Sequence, residues 1–249
     1  MVSDSQIWGR RLRRLVKPHI SFEALPRAAR LTVILFGMAG LAAILYAISW
    51  QPSFASGRVL LMFTVAMVSA RAKVNLYHGS TISFLTCVVL LAVIREGLGV
   101  AVLLAVWGVT VQTLFPSKKL VFHQLAFNSG MIALTVTATW WTHHLLARAP
   151  ALDTVSAELT ATVLSSFMYF LGNSISVSLI VSLSQRISMI HLWSHHFLYS
   201  APSFLMAGLL SLGVVGLITH FLMIGVTLVG AIALAYYCAV RRVAVDQET

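Results

Sequence analysis

Charged side chains are scarce in this sequence. Only 10% of its 249 residues are Asp, Glu, Lys or Arg, against about 25% in an ordinary soluble domain, whereas 59% are hydrophobic. This composition excludes an ordinary soluble fold. A membrane-crossing helix needs about 20 apolar residues, so a chain of this length has room for about eight crossings joined by short loops.

Acidic residues are especially rare, and none is predicted at membrane depth. The seven acids lie in tails, in loops or at the ends of apolar runs: Asp4, Glu23, Glu96, Asp153, Glu158, Asp246 and Glu248. Intramembrane metal, diphosphate and proton chemistry usually needs charged groups within the bilayer. The H-E-x-x-H pattern of metalloproteases is also absent from the sequence. We therefore expect no catalytic site, no metal site and no cofactor in this chain.

Apolar runs separated by charges alternate along the chain. They cover residues 31–49, 59–70, 81–94, 100–115, 125–146, 161–183, 203–218 and 223–240. The second and third runs are shorter than a full crossing, so they could form a tilted helix followed by a partly re-entrant one. The pattern predicts an all-α integral membrane protein, a helical bundle of about eight transmembrane helices.

The basic residues are unevenly divided between the two sides of this map. Lys and Arg near span ends are retained in the cytoplasm. Of the 17 basic residues, the map leaves Arg58, Arg95 and Arg148 on one side and the other 14 on the opposite side. The second side is therefore predicted to be cytoplasmic, with both termini on it, in a multi-pass protein of the cell inner membrane. The net charge of +10 is then a topology signal, and no nucleic-acid partner is expected.

Three regions follow from this map: a basic, amphipathic cytoplasmic segment at residues 1–30, a transmembrane bundle at residues 31–242 and a cytoplasmic tail at residues 243–249. Residues 6–16 are predicted to form a helix on the membrane surface. Its lipid-facing and headgroup-facing residues include Trp8, Arg10, Arg11, Arg13 and Arg14. These arginines favour anionic lipid headgroups as a partner. A solvated retention signal without a partner is the alternative.

Amides and hydroxyls occur within the fifth and sixth apolar runs. Those predicted to face the bundle interior are Asn128, Ser165, Ser166, Asn173 and Ser174. In hydrocarbon each needs a hydrogen-bonding partner. Hydrogen bonds between helices are one interpretation. The other is a pocket for a small hydrophobic ligand, bound by Asn128, Ser166, Asn173 and Ser174.

Histidines form two groups that the map separates. His143 and His144 lie near the non-cytoplasmic end of the fifth run, whereas His191, His195 and His196 lie in a cytoplasmic loop. The groups would be most of a bilayer apart, so they are interpreted as interfacial residues beside tryptophans rather than as metal or haem ligands.

Short motifs in the middle of the chain occur in a suggestive order. Residues 79–83 open an apolar hairpin, Phe127 and Asn128 follow in the next run, and residues 169–173 have the pattern Y-F-x-x-N. This order, over residues 57–242, resembles the N-terminal multi-span membrane module of bacterial HD-GYP and GGDEF proteins of cyclic di-GMP signalling. The resemblance implies a sensory input domain whose last helix passes a signal to a cytoplasmic enzyme.

The sequence itself contains no HD-GYP or GGDEF motif. Any output would then belong to a missing cytoplasmic domain or to a partner protein. We predict a membrane-embedded sensory or regulatory input module coupled to a cytoplasmic signalling output. The alternatives are a small-solute transporter or substrate-binding membrane subunit resembling vitamin-uptake components, and a structural anchor. An oligomer is compatible with each of them.

The map predicts that the neighbourhoods of Lys118 and Arg241 lie on the same side of the membrane. Single cysteines placed beside each, in a variant without Cys87 and Cys238, should react with a membrane-impermeant maleimide only after the membrane is opened. A cysteine beside Arg148 should react in intact cells. Labelling of the Lys118 and Arg241 positions from opposite sides would contradict the eight-span map.

Overall fold

The structure is a computed structural model that describes residues 21–50, 57–71, 73–75, 81–114, 121–148 and 153–219. The surface segment with Trp8 and its arginines, the predicted last span at 223–240 and the tail at 243–249 lie outside the described residues. The neighbourhood of Lys118 lies outside them as well.

Helices make up almost all of the described structure. The α-helices are α1 (Arg27–Ser49), α2 (Gly57–Arg71), α3 (Phe84–Arg95), α4 (Leu98–Leu114), α5 (Phe122–Leu146), α6 (Thr154–Gln185), α7 (Met189–Leu192) and α8 (Ala201–Thr219). A 3-10 turn, Phe22–Ala24, precedes α1, and a π-helical turn, Trp193–Phe197, and a 3-10 turn, Leu198–Ser200, join α7 to α8. The strands β1 (Lys73–Asn75) and β2 (Thr81–Ser83) form a short antiparallel ribbon.

Within the described residues, three helical segments are long and apolar enough to cross a membrane. They are α1, α6 and the continuous segment Met189–Gly216, which includes most of α8. One face of α1 leaves large apolar side chains exposed, among them Leu35 and Met38, which are 65% and 68% exposed. A continuous apolar stripe of this kind is unsuited to water and matches a lipid environment. The prediction of a helical chain with helices able to cross a membrane is confirmed, whereas the count of eight spans stays a prediction.

The second and third apolar runs form short helices, in agreement with their predicted lengths. At 1.5 Å per residue, α2 is about 22 Å long and α3 about 18 Å, less than the about 30 Å of a hydrocarbon core. The third helix begins three residues later than predicted, because Thr81–Ser83 pairs with Lys73–Asn75 in register Val74 to Ile82. The β-branched Thr81, Ile82 and Val74 suit such a ribbon better than a helix start.

A very tight turn joins α3 to α4. Gly97 has a φ of 95°, and its N–H donates to the carbonyl of Ala92, so the helix ends in a left-handed residue. The absence of a Cβ makes this conformation available at little cost. The two helices consequently form a closed hairpin with Glu96 at its tip.

The centre of the bundle is formed by α4 and α5. Most of α4 is buried, including Val100, Ala101, Val102 and Leu104, which are all inaccessible to solvent. The helix α5 packs against α1, α4 and α6. Its sequence carries Asn128 and four threonines, more polar groups than α1 carries, which is tolerable because protein rather than lipid surrounds it.

Backbone atoms of α1 and α5 touch where the two helices cross. A Cβ at Gly40 would overlap the backbone of Gly130, and a Cβ at Gly130 would overlap the carbonyl of Phe36. Without a hydrophobic driving force between helices in lipid, such backbone contact supplies the van der Waals packing that holds them together. The α1–α5 crossing therefore depends on glycine at both positions.

The two ends of the bundle differ in their aromatic residues. At the Trp50 end, the ring of Trp50 after α1 lies 5.8 Å from that of Trp140 and 5.7 Å from that of Trp141, near the end of α5. At the Phe122 end, the ring centroids of Phe22 and His123 are 5.7 Å apart. These contacts show that α1 and α5 run parallel.

Replacing Gly130 with Ala should destabilise the protein. Forcing a methyl group into a packed contact costs about 1 to 3 kcal/mol, more than the roughly 1 kcal/mol by which Ala favours a helix over Gly. The melting temperature in detergent should fall. Gly216→Ala is the matched control, because nothing lies within 4 Å of a Cβ built there. An equal melting temperature for the two variants would mean that the crossing is looser than described.

Candidate functional site

A cluster of hydroxyls, most of them buried, lies where α3, α6 and α8 meet. We call it the hydroxyl seam, and its members are Thr86, Thr162, Ser165, Ser166, Tyr169 and Ser211. Thr162, Ser165, Ser166 and Ser211 are at most 1% exposed. A Cβ at Gly208 of α8 would overlap the Ser166 hydroxyl, so α6 and α8 touch closely here. The seam is therefore a packed interface of small polar residues.

Ser211 links α8 to α3 with a single hydroxyl. Its Oγ lies 2.8 Å from the carbonyl of Cys87 on α3 and 2.7 Å from the carbonyl of Ala207 on its own helix. The Cys87 Sγ is 3.4 Å from the same oxygen. One O–H can donate fully to only one of the two carbonyls. The bond between helices can therefore be exchanged for one within α8.

Tyr169 of α6 contacts both α3 and α8 at the seam. Its side chain is hydrogen-bonded to that of Thr86 on α3, and its ring lies 5.8 Å from that of Phe204 on α8. Phe204 also contacts Phe170, with ring centroids 5.5 Å apart. Two aromatic residues of α6 thus enclose the start of α8.

Two of the remaining seam hydroxyls donate to the backbone of their own helix. Ser165 and Ser166 both donate to the Thr162 carbonyl, at 3.1 Å and 2.6 Å. Thr162 Oγ1 has no hydrogen-bond partner among the described residues. None of these hydroxyls is paired with a histidine or a carboxylate in the described structure, so no activated nucleophile is formed. The same part of the chain contains no group of three or more metal-ligating side chains.

Asn128 lies on α5, as predicted, but the structure pairs it with α4. Its Nδ2 donates to Thr113 Oγ1 at 3.3 Å. The expected pocket between the fifth and sixth spans would have placed Asn128 beside Asn173. The contact between Gly172 and Thr135 places the two asparagines about six residues, or about 9 Å, apart along the antiparallel helices. The structure therefore does not bring the two amides together.

The other three predicted residues lie along α6 in different contacts. Ser166 belongs to the hydroxyl seam. Ser174 accepts a hydrogen bond from Trp193 Nε1 at 3.0 Å, which ties the π-helical turn to α6. Asn173 is half-buried and has no side-chain hydrogen bond within the described structure. These contacts favour the interpretation of Ser166 and Ser174 as packing residues.

Histidines occupy both ends of the bundle, as expected. At the Trp50 end, the rings of His144 and Trp140 stack at 4.3 Å, and His143 Nε2 lies 3.5 Å from Glu158 Oε2. Near the start of α8, the rings of His191 and His195 are 4.3 Å apart. The predicted loop around them is helical, which brings these two side chains onto one face.

Ser211, Thr86 and Tyr169 were not predicted as site residues. Ser211 is flanked on both sides by apolar residues, and Thr86 lies one residue before Cys87, so each looks like an ordinary membrane-helix residue. Only the packing of α8 against α3 gives them a shared role. A sequence signal exists in Gly208 and Ser211, a small pair on one face of α8.

Comparison with protein-family models, curated proteins and solved structures finds no match for this chain. The resemblance to cyclic di-GMP signalling modules consequently stays a prediction.

Removing the Ser211 hydroxyl should weaken the attachment of α8. We expect Ser211→Ala to lower the free energy of unfolding by about 0.6 kcal/mol, the average for hydrogen bonds between membrane helices. It should also speed alkylation of Cys87 in a variant lacking Cys238. The control is Ser184→Ala, whose hydroxyl donates only to the Ile180 carbonyl of its own helix. Identical Cys87 alkylation rates in the two variants would show that Ser211 does not hold α3 and α8 together.

Proposed function

We propose that this chain is a non-enzymatic regulatory input module of the cell inner membrane, spanning it several times with both termini in the cytoplasm. Displacement of α8 would be its signal. A cytoplasmic domain or partner protein would read that displacement. One observation carries this proposal. Backbone contact holds α1 against α5, whereas a hydroxyl that can change its acceptor attaches α8 to α3.

The contact between α1 and α5 favours one arrangement. Backbone atoms touch at Gly40 and Gly130, so neither helix can shift along the other without losing that contact. The aromatic contacts of Trp50 with Trp140 and Trp141 add a second point of attachment near the helix ends. This half of the bundle serves as the fixed part.

The hydrogen bonds of the Ser211 hydroxyl would permit a second arrangement of α8. If α8 moves away from α3, the Ser211 hydroxyl keeps its bond to the Ala207 carbonyl and loses only the one to Cys87. No buried donor is left unpaired by this change, which avoids the largest energetic cost of breaking a polar contact. A packed interface with two such arrangements is the kind of element that a regulatory signal can bias.

The positions of the acidic and basic side chains among the described residues support a non-enzymatic role. Glu96 is paired with Arg58, and Glu158 lies beside His143, both at helix ends. The basic residues Arg27, Arg30 and Arg186 flank the Phe122 end of the bundle, where the positive-inside rule would place the cytoplasm.

The proposal predicts that a methyl group at Gly208 changes the signal. In the full chain joined at its C-terminus to a cyclic di-GMP output domain, Gly208→Ala should displace α8 from Ser166. We expect turnover to change by up to about tenfold, the effect of roughly 1.4 kcal/mol of strain in one of two packings. The measurement is cyclic di-GMP turnover in membranes containing equal amounts of inserted protein.

Gly216→Ala, on the same helix but in open space, is the matched control and should leave turnover unchanged. Equal turnover for wild type and both variants would contradict the signalling role. Solute accumulation by proteoliposomes containing the chain, together with that result, would favour the transporter alternative instead.

A further inference from the structure

An open groove of about 210 Å³ lies between α2 and α3 at the Trp50 end of the bundle. Its apolar walls are Leu61, Met62 and Val65 on α2 and Val88 and Leu91 on α3. For comparison, a cavity of about 150 Å³ accommodates benzene. The groove therefore has room for a segment of one hydrocarbon chain.

The polar residues of the groove are confined to one end. Arg58, Arg95 and Glu96 also line it, giving two cations and one anion. The residues Arg58, Leu61, Met62 and Val65 are spaced i, i+3, i+4 and i+7, which places them on one face of α2. On α3, the groove-lining residues Val88, Leu91 and Arg95 also share one face, with Arg95 at the end of the helix. The groove is thus apolar along its length and positively charged at its mouth.

The ion pair at the mouth is held in a defined geometry. Arg58 Nε lies 2.9 Å from Glu96 Oε1, and Arg58 Nη2 donates to Glu96 Oε2 at 3.0 Å. The Glu96 side chain is only 6% exposed, whereas that of Arg58 remains 57% exposed. A buried carboxylate at the hairpin tip therefore orients an exposed guanidinium, and a fixed guanidinium is a good donor to a phosphate group.

We propose that this groove binds one anionic phospholipid, with an acyl chain between α2 and α3 and the phosphate at Arg58. The charge of the lining residues matches a single phosphodiester anion, and the polar mouth and apolar walls match the order of headgroup and chain. The exposed apolar flanks of α2, such as Leu60 and Val68, leave the groove open to lipid from the side. The inference stands independently of the proposed signalling role.

The test is a titration of the full chain in detergent with phosphatidylglycerol and with phosphatidylcholine, counting bound lipids by native mass spectrometry. We expect one phosphatidylglycerol to bind roughly fivefold more tightly than phosphatidylcholine, the effect of one basic residue near a headgroup. Equal affinity for the two lipids would mean that the groove takes up bulk lipid without selection, and would overturn the proposal.

Two pairs of variants locate the binding. Val65→Phe fills the groove and should abolish the preferred binding, whereas Val68→Phe, on the same helix but not lining the groove, should preserve it. Arg58→Gln, Arg95→Gln and Glu96→Gln together remove the net positive charge of the mouth without leaving a buried carboxylate unpaired, and should remove the preference for phosphatidylglycerol. Arg148→Gln, which removes a cation elsewhere at the same end, should not. Equal effects within either pair would overturn the proposal.

Discussion

The backbone contact between Gly40 and Gly130 is the point on which the arrangement of the other helices depends. In lipid, apolar side chains gain little by leaving one apolar environment for another, so helices associate through close packing and hydrogen bonds. The contact holds α1 to α5, and α5 in turn packs against α4 and α6. The remaining helices are arranged around this central group, with α2 and α3 beside α4 and with α8 beside α3 and α6.

Small polar residues have a different role on the other side of the bundle. In the hydroxyl seam, Ser165, Ser166 and Ser211 contact carbonyls in the preceding turn of their own helix. These small side chains allow α6 and α8 to pack closely. Ser211 and Tyr169 supply the described polar contacts of the seam with α3. We propose that few polar contacts and small side chains together allow α8 to occupy a second position. This is the physical basis of the proposed regulatory role.

The charged residues are concentrated at helix ends, where they orient one another. Arg58 and Glu96 connect the start of α2 to the α3–α4 turn. Arg148, just after α5, has its Nη1 2.8 Å from Nε2 of His144 in the last turn of that helix. Because Glu96 is buried at a turn that requires Gly97 in a left-handed conformation, the hairpin geometry positions the ion pair. The same pair defines the mouth of the groove between α2 and α3, which links the local turn to a candidate lipid site.

The sequence by itself determined the helical membrane character, because hydrocarbon tolerates only chains that satisfy their own backbone polar groups, and long apolar runs reveal where this happens. It also indicated the two short helices, the separation of the histidine groups and the polar character of α5. The start of α3 was misplaced, since the apolar run at 81–94 does not distinguish a strand from a helix over three residues. Only the tertiary structure decided which polar groups meet. Asn128 has its partner on α4, and Ser211 contacts a carbonyl 124 residues away. Such partners depend on where the helices cross, and the local sequence pattern does not determine these crossing points.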